Sequence, residues 1–169
     1  MTLISKAEDV YYLDFKSTDD LAYITQTTLS VDDTRDIINK LKMRFPNIIG
    51  PGIKDICYAT QNRQYATKKL AEIVDLVLVI GADNSSNSNR LRDIGLEMKK
   101  DSYLINGYKD INLEWFKNIT KVGITAGASA PEHLVTEVVN FLEDNFKIEV
   151  QQLKVIEENI KFNLPLELR

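Results

Sequence analysis

Cysteine, histidine and excess positive charge are scarce in this sequence. Among 169 residues there is one cysteine, Cys57, and one histidine, His133. A lone cysteine excludes an intrachain disulfide framework and fits a reducing compartment, so a cytoplasmic location is expected. Cysteine-nucleophile catalysis usually needs a histidine base. His133 lies beyond Pro131 in a helical pattern, at its expected surface, and is given no role. The formal net charge of -4 offers no basic field for a phosphate backbone, which argues against nucleic acid as a partner. The longest apolar run, Leu76 to Ile80, is far too short to span a bilayer. No basic-then-apolar signal pattern opens the chain, and no internal repeat, low-complexity tract or Pro/Gly/Ser-rich linker interrupts it. What remains is a chain long enough to bury a sizeable core as one domain or two small ones.

Short apolar runs alternate with helical periodicity, the sequence form of βαβ units and of an α/β fold with a parallel sheet. Strands are expected at Leu21–Thr25, Asn47–Gly50, Asp75–Ile80, Ser102–Ile105 and Lys121–Thr125. The run at Asp75–Ile80 is continuously apolar and rich in Val and Ile, as in a strand covered on both faces. Ser30 is placed to cap a helix over Val31–Arg44, with Asp32 and Asp33 in its first turn and Ile37, Ile38 and Leu41 facing inward. The Pro51-Gly52 turn then leads toward Cys57. Further helices are expected over Ala59–Ile73, burying Ala66, Leu70 and Ile73, and over Ser88–Lys99. Pro131 occupies the favoured first position of a last helix, which buries Leu134, Val135, Val138, Leu142 and Phe146. Glu149–Arg169 is expected to form a strand and a tail.

The polar residues with chemical potential fall where strands give way to helices, the edge at which open α/β sheets bind ligands. There are four such stations: Thr27 with Thr28, Cys57, the run Ser85-Ser86-Asn87, and Ser129. The segment Asn84–Arg90 follows the central apolar run and opens a helix, so its hydroxyls, amides and free backbone N–H groups can converge on an anion such as phosphate. The same segment serves equally as a polar capping loop without a ligand. Gly123–Pro131 repeats the device, with small residues that permit close backbone approach and with Ser129 near a helix start. Two anion stations on one edge suggest a diphosphate. Cys57 precedes a helix, where N-terminal amides favour a metal-ligating or nucleophilic sulfur. A free cysteine is more often a small buried hydrophobe. The acidic pairs Asp19-Asp20 and Asp32-Asp33 read as solvated charges at helix starts, because neighbours in a helix do not face each other.

In order along the chain, TQTTLSVDDT (Thr25–Thr34), DICYATQNRQ (Asp55–Gln64), NSSNSNRL (Asn84–Leu91), TAGASAP (Thr125–Pro131) and the closing ENIKFNLPLELR resemble the C-terminal part of the 4-hydroxy-3-methylbut-2-enyl diphosphate reductase (LytB) family. Five blocks in register carry far more information than any one of them. The resemblance implies a fold of three similar α/β lobes around an iron–sulfur cluster, of which this chain holds about the C-terminal half. Residues 1–52 would be the end of the middle lobe, residues 53–146 the third lobe with Cys57 and the diphosphate loops, and residues 147–169 a strand and tail. It further implies a two-electron reductive dehydroxylation that yields isopentenyl and dimethylallyl diphosphates, with ferredoxin or flavodoxin as electron donor.

By the same resemblance, Cys57 matches one of three cysteine ligands to a [4Fe-4S] cluster, Thr27 the threonine near the substrate hydroxyl, and Ser85, Ser86, Asn87 and Ser129 the residues that hold the diphosphate. The other two cysteine ligands, a proton-supplying glutamate and diphosphate-binding histidines belong to the family's N-terminal part and are absent here. The chain by itself is therefore expected to be inactive and to need a missing N-terminal half. A truncated reading frame, a split gene and an excised fragment all fit. So do a cluster-free phosphate-binding module and a nonfunctional remnant.

Overall fold

The computed structural model of the chain describes residues 1–15, 20–26, 28–51 and 57–155. Its organising element is the apolar run read from the sequence. Leu76–Ile80 (β1) is a strand of five residues, each with no exposed surface. It lies at the centre of a three-stranded parallel sheet in the order β2-β1-β3, where β2 is Asp101–Ile105 and β3 is Val122–Ala126. The register pairs Ile80 with Ile105 on one side and with Ala126 on the other, so all three strands end level. The loops that follow them therefore share one edge.

Alternate β1 side chains enter opposite cores, as the period of a strand requires. Val77 and Val79 pack with Ala71, Leu91 and Ile94 beneath helices α2 (Tyr58–Ile73) and α3 (Ser86–Glu97). Leu76, Leu78 and Ile80 pack on the other face with Val138 and Leu142 of α4 (Glu132–Asn145). Burial of each such side chain is worth roughly 1.5–3 kcal/mol, which explains why the central strand carries no polar residue. The long connection from β2 to β3 crosses the α4 face through two short 3-10 turns, Tyr108–Asp110 and Leu113–Phe116. There Trp115 stacks on Tyr103 with ring centroids 3.9 Å apart and planes inclined by 4°.

The N-terminal residues build a smaller core of Val10, Leu13, Leu41 and Phe45 between a 3-10 helix, Ala7–Tyr12, and α1 (Val31–Arg44). Arg44 ties the two together by donating to the carbonyls of Val10 and Leu13.

Several expectations need correction. The strands expected at Leu21–Thr25 and Asn47–Gly50 reduce to one parallel bridge, Ala22 to Ile49, with bonds of 2.9 Å from Tyr23 N to Ile49 O and from Ile49 N to Leu21 O. Two bonds without a neighbouring ladder do not make a sheet. Helix α2 buries Thr60, Gln64, Thr67 and Ala71, whereas of the expected Ala66, Leu70 and Ile73 the first two are only partly buried and the third turns out. Ile73 is 55% exposed. Gln64 is drawn in by its hydrogen bonds to Leu29 and Val31, at the entry to α1. Leu70 stays partly buried and packs against the same core. Helix α3 starts two residues before the expected Ser88, because Ser85 caps it, and α4 takes Pro131 as its cap and not as its first residue. Of the expected final strand, residues 149–155 form none, and the remainder lies outside the described residues. Asp19 and Gly52 also lie outside them.

Candidate anion site at the strand ends

The loop after β1 turns at once into α3. Gly81 N donates to Ile105 O at 2.9 Å and Gly127 N donates to Ile80 O at 2.8 Å, which binds the three strand ends together. The chain continues from β1 to one side of the sheet through α3, and the third strand returns on the other side. The carboxyl end of β1 is thus where the strand order switches, the position at which parallel sheets open a ligand crevice.

Ser85 caps α3 by accepting a hydrogen bond from Ser88 N at 3.3 Å, and Ser88 Oγ donates to Ser85 Oγ at 3.0 Å. Ser86, in the first turn, accepts from Thr28 Oγ1 at 3.2 Å. That contact brings the first and third sequence stations together. Asn89 closes the turn by donating to the carbonyls of Asp83 and Ser85 at 2.7 and 3.0 Å.

Asn87 leaves its whole side-chain amide unpaired. It is 6% exposed, yet neither its side-chain oxygen nor its nitrogen has a hydrogen-bond partner among the described residues. Leaving a buried amide unpaired costs about 1–3 kcal/mol, a cost that a hydrogen-bonding ligand would remove. It sits in the first turn of α3, at the positive end of the helix dipole.

The remaining expected residues are dispersed. Ser129 is exposed, two residues beyond Gly127, in a turn closed by a bond of 3.0 Å from Ala130 N to Gly127 O. No bond joins it to the Ser85–Asn87 turn, although Gly127 lies against that turn: a methyl built at Gly127 would stand 3.7 Å from Asn87 Nδ2. Thr27 lies outside the described residues. His133 is exposed on α4. Cys57 is exposed at the N-cap of α2, where its carbonyl accepts from Thr60 N and Gln61 N at 2.8 and 3.0 Å. It is not a buried hydrophobe.

Asp32 is more than a solvated helix-start charge. Its carboxylate accepts from Lys68 of α2 and pairs with Arg35 at 3.3 Å. The Lys68 hydrogen bond, above all, holds the Asp32 carboxyl below the usual carboxylate range. Sequence reasoning missed Ser88 and the closeness of Gly81 to it. The run of small residues around Gly127 was the one available signal.

No group of three or more His, Cys, Asp or Glu side chains among the described residues is arranged to hold a metal ion. The only cysteine of the chain is Cys57. A [4Fe-4S] cluster takes its ligands mainly from several cysteine thiolates, so the residues of this chain alone do not fit one. No helix among the described residues is long and apolar enough to cross a membrane.

Comparison with known proteins identifies the family. The family model described as LytB protein matches residues 1–143. The 4-hydroxy-3-methylbut-2-enyl diphosphate reductase of Wolbachia pipientis wMel is 55% identical over 166 residues, covering 98% of this chain and 54% of that protein. The protein of the same name from Ehrlichia ruminantium (strain Gardel) is 51% identical over 167 residues, covering 99% of this chain and 51% of that protein. Among solved structures, the E-1-hydroxy-2-methyl-but-2-enyl-4-diphosphate reductase from Plasmodium falciparum superposes with a TM-score of 0.86 at 36% identity, over 98% of this chain and 52% of that one. The chain spans about half the length of the curated relatives it matches. On the family match and on identity that runs almost end to end, the chain belongs to the LytB family of 4-hydroxy-3-methylbut-2-enyl diphosphate reductases.

Proposed function

We propose that this chain is the diphosphate-holding part of a 4-hydroxy-3-methylbut-2-enyl diphosphate reductase, an oxidoreductase of isoprenoid synthesis by the non-mevalonate route. Residues 1–52 would close a middle lobe and residues 53–146 form the third. The observation that carries this reading is the buried, unpartnered amide of Asn87 at the N-terminus of α3, flanked by the hydroxyls of Ser85 and Ser86. An oxyanion supplies the acceptors that such donors lack. Ser129 would reach the same ligand from the neighbouring loop. Thr27 would stand near the hydroxyl that the reaction removes.

Cys57, exposed at the start of α2, would contribute one thiolate to a [4Fe-4S] cluster whose other ligands lie in a separate N-terminal half. Ferredoxin or flavodoxin would donate the electrons, in the cytoplasm. The chain by itself would bind the diphosphate and leave the substrate unreduced. A single thiol favours a second reading, in which the chain acts as a phosphate-binding module without a cluster.

Titration calorimetry of the chain with inorganic pyrophosphate tests the anion site. Asn87→Ala should weaken binding roughly ten- to a hundredfold, the loss expected for one hydrogen bond to a charged group. Equal binding by both proteins would mean that the turn is only a cap. Anaerobic iron–sulfide reconstitution, with and without a polypeptide matching the N-terminal half of the relatives, separates the two readings through visible absorption. Cluster absorption that needs both pieces and is lost in Cys57→Ser supports the reductase, and its absence from the pair supports the module.

A further inference from the structure

We propose that Ser88 is a positioning residue that fixes the Ser85 hydroxyl as a hydrogen-bond donor toward the bound anion. The inference rests on the anion reading of this turn and deepens it.

A serine hydroxyl has one proton to donate and two lone pairs to accept. Ser85 Oγ receives two hydrogen bonds, both from Ser88: the backbone N–H at 3.3 Å and the hydroxyl at 3.0 Å. The backbone N–H can only donate. With its acceptor capacity taken up by one neighbour, Ser85 has its own proton left to donate. Two residues on, the buried Asn87 amide is also without a partner. An anion accepts and never donates, so a hydroxyl held as a donor suits phosphate oxygens and disfavours a ligand that must donate.

Ser88 can do this because its side chain has little freedom. It is 1% exposed, and its Oγ lies 2.1 Å from where a methyl would stand at Gly81 and 2.1 Å from where one would stand at Gly127. Both strand-end glycines leave a slot, and the hydroxyl fills it. Orientation set before the ligand arrives spares the cost of ordering it on binding.

A double-mutant cycle on the full chain, read with inorganic pyrophosphate by calorimetry and with thermal melts as the fold check, tests the proposal. Ser85→Ala should weaken binding about tenfold, and Ser88→Ala by about three- to tenfold. The double variant should bind no more weakly than Ser85→Ala alone, because Ser88 acts through Ser85. A group that only packs would not give this non-additivity. Binding by Ser88→Ala equal to the unmutated chain would overturn the proposal, as would losses that multiply in the double variant. Should Ser88→Ala fail to fold, Ser88→Cys, whose thiol is a weak donor, takes its place in the cycle with the same expectation. If the unmutated chain does not bind pyrophosphate, the anion reading itself fails and this inference falls with it.

Discussion

Gln64, buried on α2, spans two backbone groups of the segment that leads into α1: its Nε2 donates to Leu29 O at 2.8 Å and its Oε1 accepts from Val31 N at 3.3 Å. This amide joins the start of α1 to α2, the helix that begins at Tyr58. It also holds the segment from which Thr28 reaches Ser86. Gln64→Ala leaves both backbone groups without that partner. Unfolding in urea should show a loss of about 1–3 kcal/mol. A loss below about 0.5 kcal/mol would mean that water replaces the amide without cost.

The slot around Ser88 makes a sharper prediction. At Gly127 a methyl would meet Ser88 Oγ at 2.1 Å but Ser88 Cβ only at 3.4 Å, whereas at Gly81 the Ser88 Cβ itself would be 2.7 Å away. Gly127→Ala should therefore destabilise the chain by roughly 1–3 kcal/mol. Adding Ser88→Ala should recover most of that loss. The same second substitution should not rescue Gly81→Ala, because the Cβ contact remains. Equal rescue of both, measured by melting temperature, would contradict this geometry.

Asp75 predicts the behaviour in acid. Its carboxylate accepts from Thr120 Oγ1 at 2.8 Å, Thr120 N at 3.0 Å and Lys121 N at 2.9 Å, which anchors the chain just before β3. The Thr120 hydroxyl bond first, then the two backbone bonds, hold its carboxyl below the usual range. A carboxyl with a lowered folded pKa contributes stability that is present above its unfolded value and lost as pH falls through the folded one. Below about pH 4, the urea midpoint of the unmutated chain should fall more steeply than that of Asp75→Asn. Parallel slopes would show that Asp75 takes no part in acid unfolding.

Cys57 stands at the N-cap of α2 but makes no capping hydrogen bond with its side chain. Serine at a cap supplies an acceptor that sulfur supplies poorly. Cys57→Ser should therefore stabilise the isolated chain by about 0.5–1 kcal/mol while removing the thiol. In the native chain that exposed thiol should react with a maleimide within a few-fold of the unfolded rate. Protection of a hundredfold or more would place the sulfur in contact with something that covers it.

Local signals fixed much of this protein before any folding was considered. A short continuous run rich in Val and Ile reads as a strand covered on both faces, because β-branched side chains favour a strand and five residues are too few for a core helix. Ser30 marks its helix start by its own hydroxyl. The Ser-Ser-Asn turn was legible as a helix cap that could also meet an anion, and Ser85 does cap α3. These features depend on neighbours a few residues apart. Tertiary structure decided the rest. Periodicity offered Ala66, Leu70 and Ile73 as the inner face of α2, but the fold exposes Ile73 and buries Thr60, Gln64 and Thr67, with Gln64 bonded to the distant Leu29 and Val31. Leu21–Thr25 has strand composition but only one short partner, and a strand exists only where a ladder of backbone bonds supports it. No pattern in the sequence announces that Gly81 and Gly127 close on Ser88, or that Asn87 is left buried and unpaired. Those facts belong to segments far apart in the chain, and close approach is a property of the packed whole.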